Sequence, residues 1–348
     1  ISPESMHDKC GIAASLCQFK NLLRSSVTTG PGGTNAITPC AAAWTDSTPM
    51  LFISGQVKTT DDHETYYVRQ MGFQEIPITE IVRPITKKAF KMSIKDDVYE
   101  VLTDLMNLAI EGRPGPVWLD VPLDIQNFPY SSDKRDRNSK AIQFTNSVDV
   151  ISESSKLTTS INEVIVDLKK SNKPVILLGN GVRLSGCVDA AIKFANNLKI
   201  PVLLTWKMLD ILDELDPLNA GRPGAIPQPW SNKIQEEADL ILSIGARIDT
   251  GQSAYNLKTF GKRALKIVVD IDSNELAKFP SGANYKLINQ NANTFIQELS
   301  EKCQLIELSE KWNTWRKQVA ELKNHYSFEF YNRKSPDSGI NLYNFIRV

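Results

Sequence analysis

The sequence of 348 residues has few cysteines, and none of them forms a C-x-x-C motif. The five are Cys10, Cys17, Cys40, Cys187 and Cys303. A disulfide framework uses an even set of cysteines in a small chain, and a thiolate zinc site uses closely spaced pairs. The pattern therefore argues against both and favours a reducing, cytoplasmic location.

Long apolar runs and an excess of one charge sign are also missing. The apolar runs, such as 174–178 and 201–204, are far shorter than a membrane-spanning helix, which needs about 20 residues. Forty Lys and Arg residues balance forty Asp and Glu residues, so no net field favours nucleic acid or an anionic membrane. The three histidines, His7, His63 and His325, are dispersed, which predicts surface side chains and no metal site.

Short apolar segments bounded by Gly or Pro alternate with segments of helical periodicity, a pattern typical of α/β folds with parallel sheets. The first block is predicted to contain strands at 26–29, 50–54 and 116–121 and a helix at 96–111. The second block is predicted to contain strands at 174–178, 201–205, 238–245 and 265–270 and helices at 161–168 and 188–198. The sequence therefore predicts two doubly wound parallel-sheet domains, the second of them Rossmann-like.

Composition indicates where the domains meet. Residues 131–157 are rich in Ser, Asn, Asp, Lys and Arg and lack apolar periodicity, which is typical of a linker. We therefore predict a first domain at 1–130, incomplete at its N-terminus, and a middle domain at 158–305. Residues 306–348 are predicted to form a helix that carries a docking face with two tryptophans, followed by the start of a further domain.

A glycine-rich turn after the first predicted strand is the most informative segment. It reads Thr28-Thr-Gly-Pro-Gly-Gly-Thr-Asn-Ala36. Glycines let the backbone approach a ligand closely, and the free N–H groups at the start of the following helix can bind polar atoms. From these residues alone, a tight turn that binds no ligand is an equal alternative.

Further motifs follow this turn in a fixed order. They read Ala41-Ala-Ala-Trp-Thr-Asp-Ser-Thr-Pro49, Ser54-Gly-Gln56, Phe73-Gln-Glu75, Arg83-Pro-Ile-Thr-Lys87, Gly112-Arg-Pro-Gly-Pro116 and Asp120-Val-Pro122. Together they resemble the pyrimidine-binding domain of thiamine-diphosphate enzymes of the acetolactate synthase type. The resemblance implies cofactor contacts at four residues of the turn, Gly30, Gly32, Gly33 and Asn35.

The second block resembles the middle domain of the same family. The matching segments begin at Pro174, Gly221, Ala238 and Val269. This domain holds FAD in acetolactate synthases. The resemblance implies an FAD site here, and the residues at the matching positions are Arg113, Gly221, Arg222, Arg247, Asp249, Asp270 and Asp272. Arginines pair with phosphate oxygens, and an aspartate at a strand end accepts a hydrogen bond from ribose or adenine. From the residues alone, the glycines and aspartates are equally well strand-end turns and caps.

The resemblance also implies catalytic residues. Phe73 and Gln74 would form part of the active-site wall, with ordinary packing as the alternative. A family glutamate protonates the cofactor's pyrimidine ring, and Glu4 lies at a suitable distance before Gly30 (30 − 4 = 26 residues). The sequence around Glu4 matches the family's helix poorly, and a solvated carboxylate near a chain end is the alternative.

Two departures from the family pattern bear on function. No G-D-G motif occurs in the sequence, although in this family it belongs to the third domain, which binds Mg²⁺ and the cofactor's diphosphate. Residues 306–348 would then begin a truncated diphosphate-binding domain, and the chain alone would be inactive. Leu123 stands where acetolactate synthases commonly have Lys, which weakens the case for pyruvate as substrate.

The function implied by the resemblance is decarboxylation of a 2-keto acid with thiamine diphosphate and Mg²⁺, followed by carbon–carbon ligation, in a homodimer or tetramer. One alternative is a related enzyme for a sugar-linked acid, which Leu123 favours. Another is a non-catalytic remnant that binds a nucleotide or a partner. A NAD-dependent enzyme is a weaker alternative, since Gly179-Asn-Gly181 lacks the third glycine of the dinucleotide fingerprint.

Overall fold

The computed structural model describes residues 22–127, 154–280, 282, 284–303 and 310–331. The chain divides between residues 148 and 149 into two compact units, called here the first unit and the second unit. Glu4 lies outside the described residues, as does residue range 332–348. Of the predicted linker 131–157, only the part from Ser154 is described, and a helix begins there.

The first unit contains a parallel four-stranded sheet in the order β1-β2-β4-β3. Its strands are β1 (Leu23–Val27), β2 (Met50–Gln56), β3 (Lys88–Lys91) and β4 (Pro116–Pro122). Its α-helices are Pro31–Asn35, Ile37–Thr45, His63–Tyr66, Ile78–Val82, Val98–Ile110 and Leu123–Gln126, with single 3-10 turns at Thr59–Asp61 and Arg83–Ile85.

Both faces of this sheet are covered, because neighbouring residues of a strand point to opposite sides. Phe52 and Trp118 stack on one face, with ring centroids 5.0 Å apart, in a cluster with the helix Ile37–Thr45. Leu51 packs on the opposite face with the helix Val98–Ile110. The first unit is therefore doubly wound, as predicted. Its first strand, Leu23–Val27, begins and ends earlier than the predicted strand 26–29, so residues 28 and 29 belong to the glycine turn.

The second unit contains a parallel six-stranded sheet in the order β10-β9-β8-β5-β6-β7. Its strands are β5 (Pro174–Leu178), β6 (Val202–Leu204), β7 (Asn219–Gly221), β8 (Leu240–Ile244), β9 (Leu265–Asp270) and β10 (Tyr285–Asn289). Its α-helices are Ser154–Lys170, Asn180–Leu184, Val188–Leu198, Pro229–Glu237, Ser273–Ala277, Ala292–Cys303 and Asn313–Tyr331, with a 3-10 turn at Trp206–Met208. The strand order reverses between β5 and β8. Two parallel-sheet α/β domains are thereby confirmed.

The last described helix belongs to the core of the second unit. Trp312 and Trp315 are 0% and 2% exposed. The Nε1 of Trp312 donates to the carbonyl of Ser171 at 3.0 Å, and that of Trp315 to the carbonyl of Pro174 at 3.0 Å. The two tryptophans thus form a face that docks within the second unit, because both indoles are buried against the start of β5.

The described cysteines have structural surroundings. Cys40, Cys187 and Cys303 are free and buried. Burial raises the pKa of the Cys40 thiol to about 12 and those of the other two to about 11, so these thiols are not nucleophiles at neutral pH. Across the described ranges, every helix is too short or too polar to span a bilayer.

Candidate functional site

A cleft of about 640 Å³ lies in the first unit beyond the carboxyl ends of β1, β2 and β4. Open parallel sheets bind ligands at this edge, because the loops that leave the strands converge there. The cleft is lined by residues 26–29, residues 53–58, Asp61, Gly72, Phe73, Val121, Leu123 and Gln126. It therefore joins the start of the glycine turn to the Ser-Gly-Gln and Phe-Gln-Glu motifs.

The glycine turn contacts the Phe-Gln-Glu motif directly. Gly30 has φ +60°, and a Cβ at this position would lie 2.3 Å from the carbonyl oxygen of Gln74. Gly32 and Gly33 are buried against side chains of the same unit. The three glycines are thus explained by backbone conformation and internal packing, while the residues of the turn that line the cleft are Thr28 and Thr29.

The two candidate wall residues, Phe73 and Gln74, have different roles at this contact. Phe73 lines the cleft and is 82% exposed, so its ring is available to a ligand or a partner. Gln74 is exposed and has φ +56°, and its carbonyl packs on Gly30. Phe73 is thus placed to contact a ligand by its side chain, and Gln74 sets the backbone next to the turn.

Glu75 closes the loop that presents Phe73. Its buried carboxylate accepts hydrogen bonds from the backbone N–H groups of His63, Met71 and Gly72 at 2.6, 2.9 and 3.0 Å. Burial raises the pKa of Glu75, but these bonds and the His63 ring outweigh burial and lower the pKa to about 2. The motif's glutamate therefore fixes the path of the loop and does not face the cleft.

His63 is half-buried in a polar cluster with Asp62 and Glu75, which corrects the prediction of a surface side chain. Its Nδ1 lies 2.7 Å from Glu75 and 3.3 Å from Asp62, and one ligand atom from each residue fits within 4.8 Å, as in a metal site. The carboxylates are already used, because Glu75 binds backbone amides and Asp62 pairs with Lys91. We assign this cluster to the loop's stability and assign no metal to it.

A second polar network lies beneath the cleft. Asp120, 1% exposed, accepts hydrogen bonds from Ser54 Oγ at 2.5 Å and Gln56 Nε2 at 3.1 Å. Trp118 Nε1 donates to Ser54 Oγ at 2.8 Å. Burial raises the pKa of Asp120 to about 6, although these hydrogen bonds and Lys91 oppose the shift. The motifs that contain Ser54, Gln56 and Asp120 are visible in the sequence, but their pattern does not indicate this network.

Replacing Asp120 by Asn should change stability in a pH-dependent way. The folded-state pKa of about 6 exceeds the ordinary value of 3.8, so the proton on Asp120 stabilises the fold fully below pH 4 and loses that effect as the pH rises through 6. Asp120→Asn has no ionisable group at this position, so the variant does not lose this stability as the pH rises. The difference in unfolding free energy between variant and wild type should grow by about 3 kcal/mol from pH 4 to 7. Urea unfolding at several pH values measures it, and a constant difference contradicts the assignment.

In the second unit, predicted cofactor residues lie at the carboxyl edge of the sheet. Gly221 ends β7 with φ +87°, and a Cβ there would lie 2.5 Å from Gln228 Oε1. The guanidinium carbon of Arg222 lies 3.9 Å from the centroid of the Trp206 ring. Its Nε and Nη2 donate to the carbonyl of Ile226 at 3.2 and 2.9 Å. This part of the predicted site therefore makes internal contacts.

The acidic residues of the same edge also serve local structure. Arg247 Nη2 donates to Asp249 Oδ2 at 2.9 Å. Asp270 Oδ1 accepts from the N–H of Asp272 at 2.9 Å, and the Asp272 side chain caps the helix Ser273–Ala277. The turns and caps that the sequence allows as an alternative are thus present.

Three predicted residues remain. Asn35 is half-buried at the end of the helix Pro31–Asn35 and is not among the residues that line the cleft. Arg113 lies in the first unit, where its Nε donates to Ser47 Oγ at 2.8 Å. Glu4 lies outside the described residues, so its role stays a prediction.

Comparison with known proteins places both units in one family. Residues 24–81 match the N-terminal TPP binding domain of thiamine pyrophosphate enzymes, and residues 161–299 match their central domain. The first match contains all of the residues that line the cleft except Val121, Leu123 and Gln126.

Several similar proteins are named as acetolactate synthases or probable acetolactate synthases. The chain is 32% identical over 305 residues to the acetolactate synthase large subunit of Lactococcus lactis, covering 87% of this chain and 50% of that protein. It is 32% identical over 251 residues to a probable acetolactate synthase large subunit of Methanococcus aeolicus (72% and 40%). It is 30% identical over 311 residues to acetolactate synthase 3, chloroplastic, of Brassica napus (87% and 44%).

The chain thus spans half or less of the length of these relatives. The two domain matches follow each other in the order of the two units. The first covers β1 and β2 of the first unit's sheet, and the second covers all six strands of the second unit's sheet. The chain belongs to the thiamine pyrophosphate enzymes, with the family's N-terminal TPP binding domain in its first unit and the central domain in its second.

Proposed function

We propose that the cleft of the first unit holds the aminopyrimidine half of thiamine diphosphate, for decarboxylation of a 2-keto acid and carbon–carbon ligation as in acetolactate synthases. The observation that carries this proposal is the position of the cleft, which lies at the carboxyl edge of the sheet and takes most of its lining residues from the part of the chain that matches the TPP binding domain. Calorimetric titration with thiamine diphosphate and Mg²⁺ tests it: saturable binding is expected, and its absence contradicts the proposal.

The residues of the cleft suit a flat ring with a polar edge. Val27, Ile53, Val57 and Phe73 offer apolar surface, and the hydroxyl of Thr29 offers a polar group. Apolar walls with a few placed polar groups are what orient a small heteroaromatic ligand. When bound, the cofactor supplies the electron sink for decarboxylation. This chain's residues would bind the ring, orient it and exclude water.

We also propose that the chain alone does not complete the reaction. The family's G-D-G motif, which belongs to the Mg²⁺ and diphosphate site, is absent from the 348 residues. Purified chain with thiamine diphosphate, Mg²⁺ and pyruvate should therefore release CO₂ at the background rate. A coupled decarboxylation assay measures this. Sustained turnover would show that the chain is a complete catalyst, whereas failure to bind the cofactor would favour the non-catalytic alternative.

Leu123 supports a second candidate substrate. Its side chain is 45% exposed and lines the cleft, in the position where acetolactate synthases commonly have Lys. Leu cannot pair with a carboxylate, so an acid carrying a larger group, such as a sugar-linked acid, is the alternative to pyruvate. Competition between such acids and pyruvate for the protein with bound cofactor distinguishes the two.

FAD binding in the second unit is proposed from the family resemblance. Arg222 and Arg247 are forked donors of the kind that pyrophosphate needs, but Arg222 already donates two hydrogen bonds to Ile226. Flavin binding would require Arg222 to exchange that contact for phosphate, so we derive no step of the reaction from FAD. A visible absorption spectrum of the purified protein tests the point, and absence of a flavin band removes FAD from the proposal.

We further propose a cytoplasmic homo-oligomer, as the family resemblance implies. Exposed aromatic side chains of the first unit support it, since Tyr67 and Phe73 are 97% and 82% exposed and large apolar groups are commonly covered in assemblies. Light scattering of the purified protein measures the oligomeric state, and a monomer at all concentrations contradicts the proposal.

A further inference from the structure

The amide of Gln56 is held by partners of fixed polarity. Its Nε2 donates to Asp120 Oδ2 at 3.1 Å and to the carbonyl of Ile76 at 3.0 Å. Its Oε1 accepts from the N–H of Val57 at 3.0 Å. An ionised carboxylate and a carbonyl only accept hydrogen bonds, and a backbone N–H only donates. The orientation of the Gln56 amide is therefore determined by three independent contacts.

This orientation decides what the Thr29 hydroxyl does. Thr29 Oγ1 lies 3.1 Å from Gln56 Oε1, and that oxygen cannot donate. The hydroxyl hydrogen of Thr29 must therefore point to Gln56, which leaves the lone pairs of Oγ1 for other partners. Thr29 and Gln56 both line the cleft.

We infer that Gln56 is a positioning residue that makes the Thr29 hydroxyl a hydrogen-bond acceptor in the cleft wall, so that this position selects a ligand with an N–H donor. The inference rests on the proposed function, in which the ligand is an aminopyrimidine. Asp120 contributes by accepting from Gln56, and it is itself held by Ser54 at 2.5 Å. A chain of hydrogen bonds thus runs from Asp120 on the central strand β4 through Gln56 on β2 to Thr29 at the start of the glycine turn.

The test compares two ligands that differ at one group. Thiamine diphosphate carries a ring amino group, and oxythiamine diphosphate carries an oxo group in its place. The ratio of their dissociation constants is measured by calorimetry on wild type and on Thr29→Val, which has nearly the same shape but no hydroxyl. Thr29→Ser keeps the hydroxyl and is the matched control.

Wild type should prefer the amino compound, and Thr29→Val should reduce that preference about tenfold, as expected for one hydrogen bond whose loss leaves a polar group unpaired. Thr29→Ser should keep the preference. Gln56→Met, which removes the partner that fixes the hydroxyl, should reduce it in the same direction. Because both affinities are measured on one variant, a general loss of folded protein lowers both and leaves the ratio unchanged.

The outcomes separate this inference from the proposed function. If wild type binds neither compound, the proposed function fails. If wild type binds both and the ratio is the same in Thr29→Val, the cleft binds the cofactor but Thr29 is not the selecting acceptor, and the inference is overturned.

Discussion

Gly30→Ala is expected to lower the free energy of unfolding of the first unit by about 2 to 5 kcal/mol and to abolish ligand binding in the cleft. The φ of +60° at Gly30 costs a residue with a Cβ about 1 to 2 kcal/mol. The added Cβ would also lie 2.3 Å from the carbonyl oxygen of Gln74, and relief of such an overlap costs about 1 to 3 kcal/mol. Urea unfolding and titration with thiamine diphosphate measure the two effects.

Gly112→Ala is the matched control for this substitution. Gly112 has φ +57°, but a Cβ there would meet nothing within 4 Å. It therefore carries the conformational cost without the overlap, and it lies outside the residues that line the cleft. If Gly30→Ala is no more destabilising than Gly112→Ala, the close approach between the glycine turn and the Phe-Gln-Glu motif is not part of the fold.

Trp315→Ala should destabilise the second unit by about 3 to 5 kcal/mol, the usual cost of removing a buried tryptophan. The indole is 2% exposed, and its Nε1 hydrogen bond to Pro174 ties the helix Asn313–Tyr331 to β5. Thermal and urea unfolding of the variant measure the loss.

Trp206→Ala is the comparison for Trp315→Ala, because Trp206 is 56% exposed and stacks with Arg222. It should cost much less. Equal and small effects of the two substitutions would contradict the burial of Trp315 in the core of the second unit.

The buried elements of the fold are the ones that the sequence predicts best. The strand Pro174–Leu178 and the helix Val188–Leu198 have the predicted bounds. All five residues of that strand are buried, so a short apolar run marks it, and the helix buries one face at regular spacing. Patterns of this kind come from burial itself, which explains why two parallel-sheet domains follow from the sequence.

The edge strands could not be predicted in the same way. β3 is four residues long with a partly exposed pattern, and β10 has no fully buried residue and two exposed positions. β7 has three residues. Edge strands bury less apolar surface, so their sequences carry a weaker signal. Their place in the sheet depends on the strands beside them.

The candidate site likewise contains features that the sequence predicts and features that it does not. Glycines are conspicuous in a sequence, and Gly30 does mark the turn beside the cleft. The side chains that shape the cleft are joined by hydrogen bonds over long separations, as between Gln56 and Asp120 or His63 and Glu75. Nothing in the local pattern indicates such pairs. The family resemblance brought these motifs together, and the structure shows what each residue contacts.

Hydrogen exchange in the presence of ligand shows whether the first unit's cleft binds the aminopyrimidine half of thiamine diphosphate. The experiment compares thiamine, which has the ring but no phosphates, with inorganic pyrophosphate, which has only the phosphates. We predict that millimolar thiamine slows exchange in segments 26–33, 53–58 and 71–76, and that pyrophosphate does not. Slowed exchange with pyrophosphate alone, or with thiamine only in the second unit, would contradict the claim.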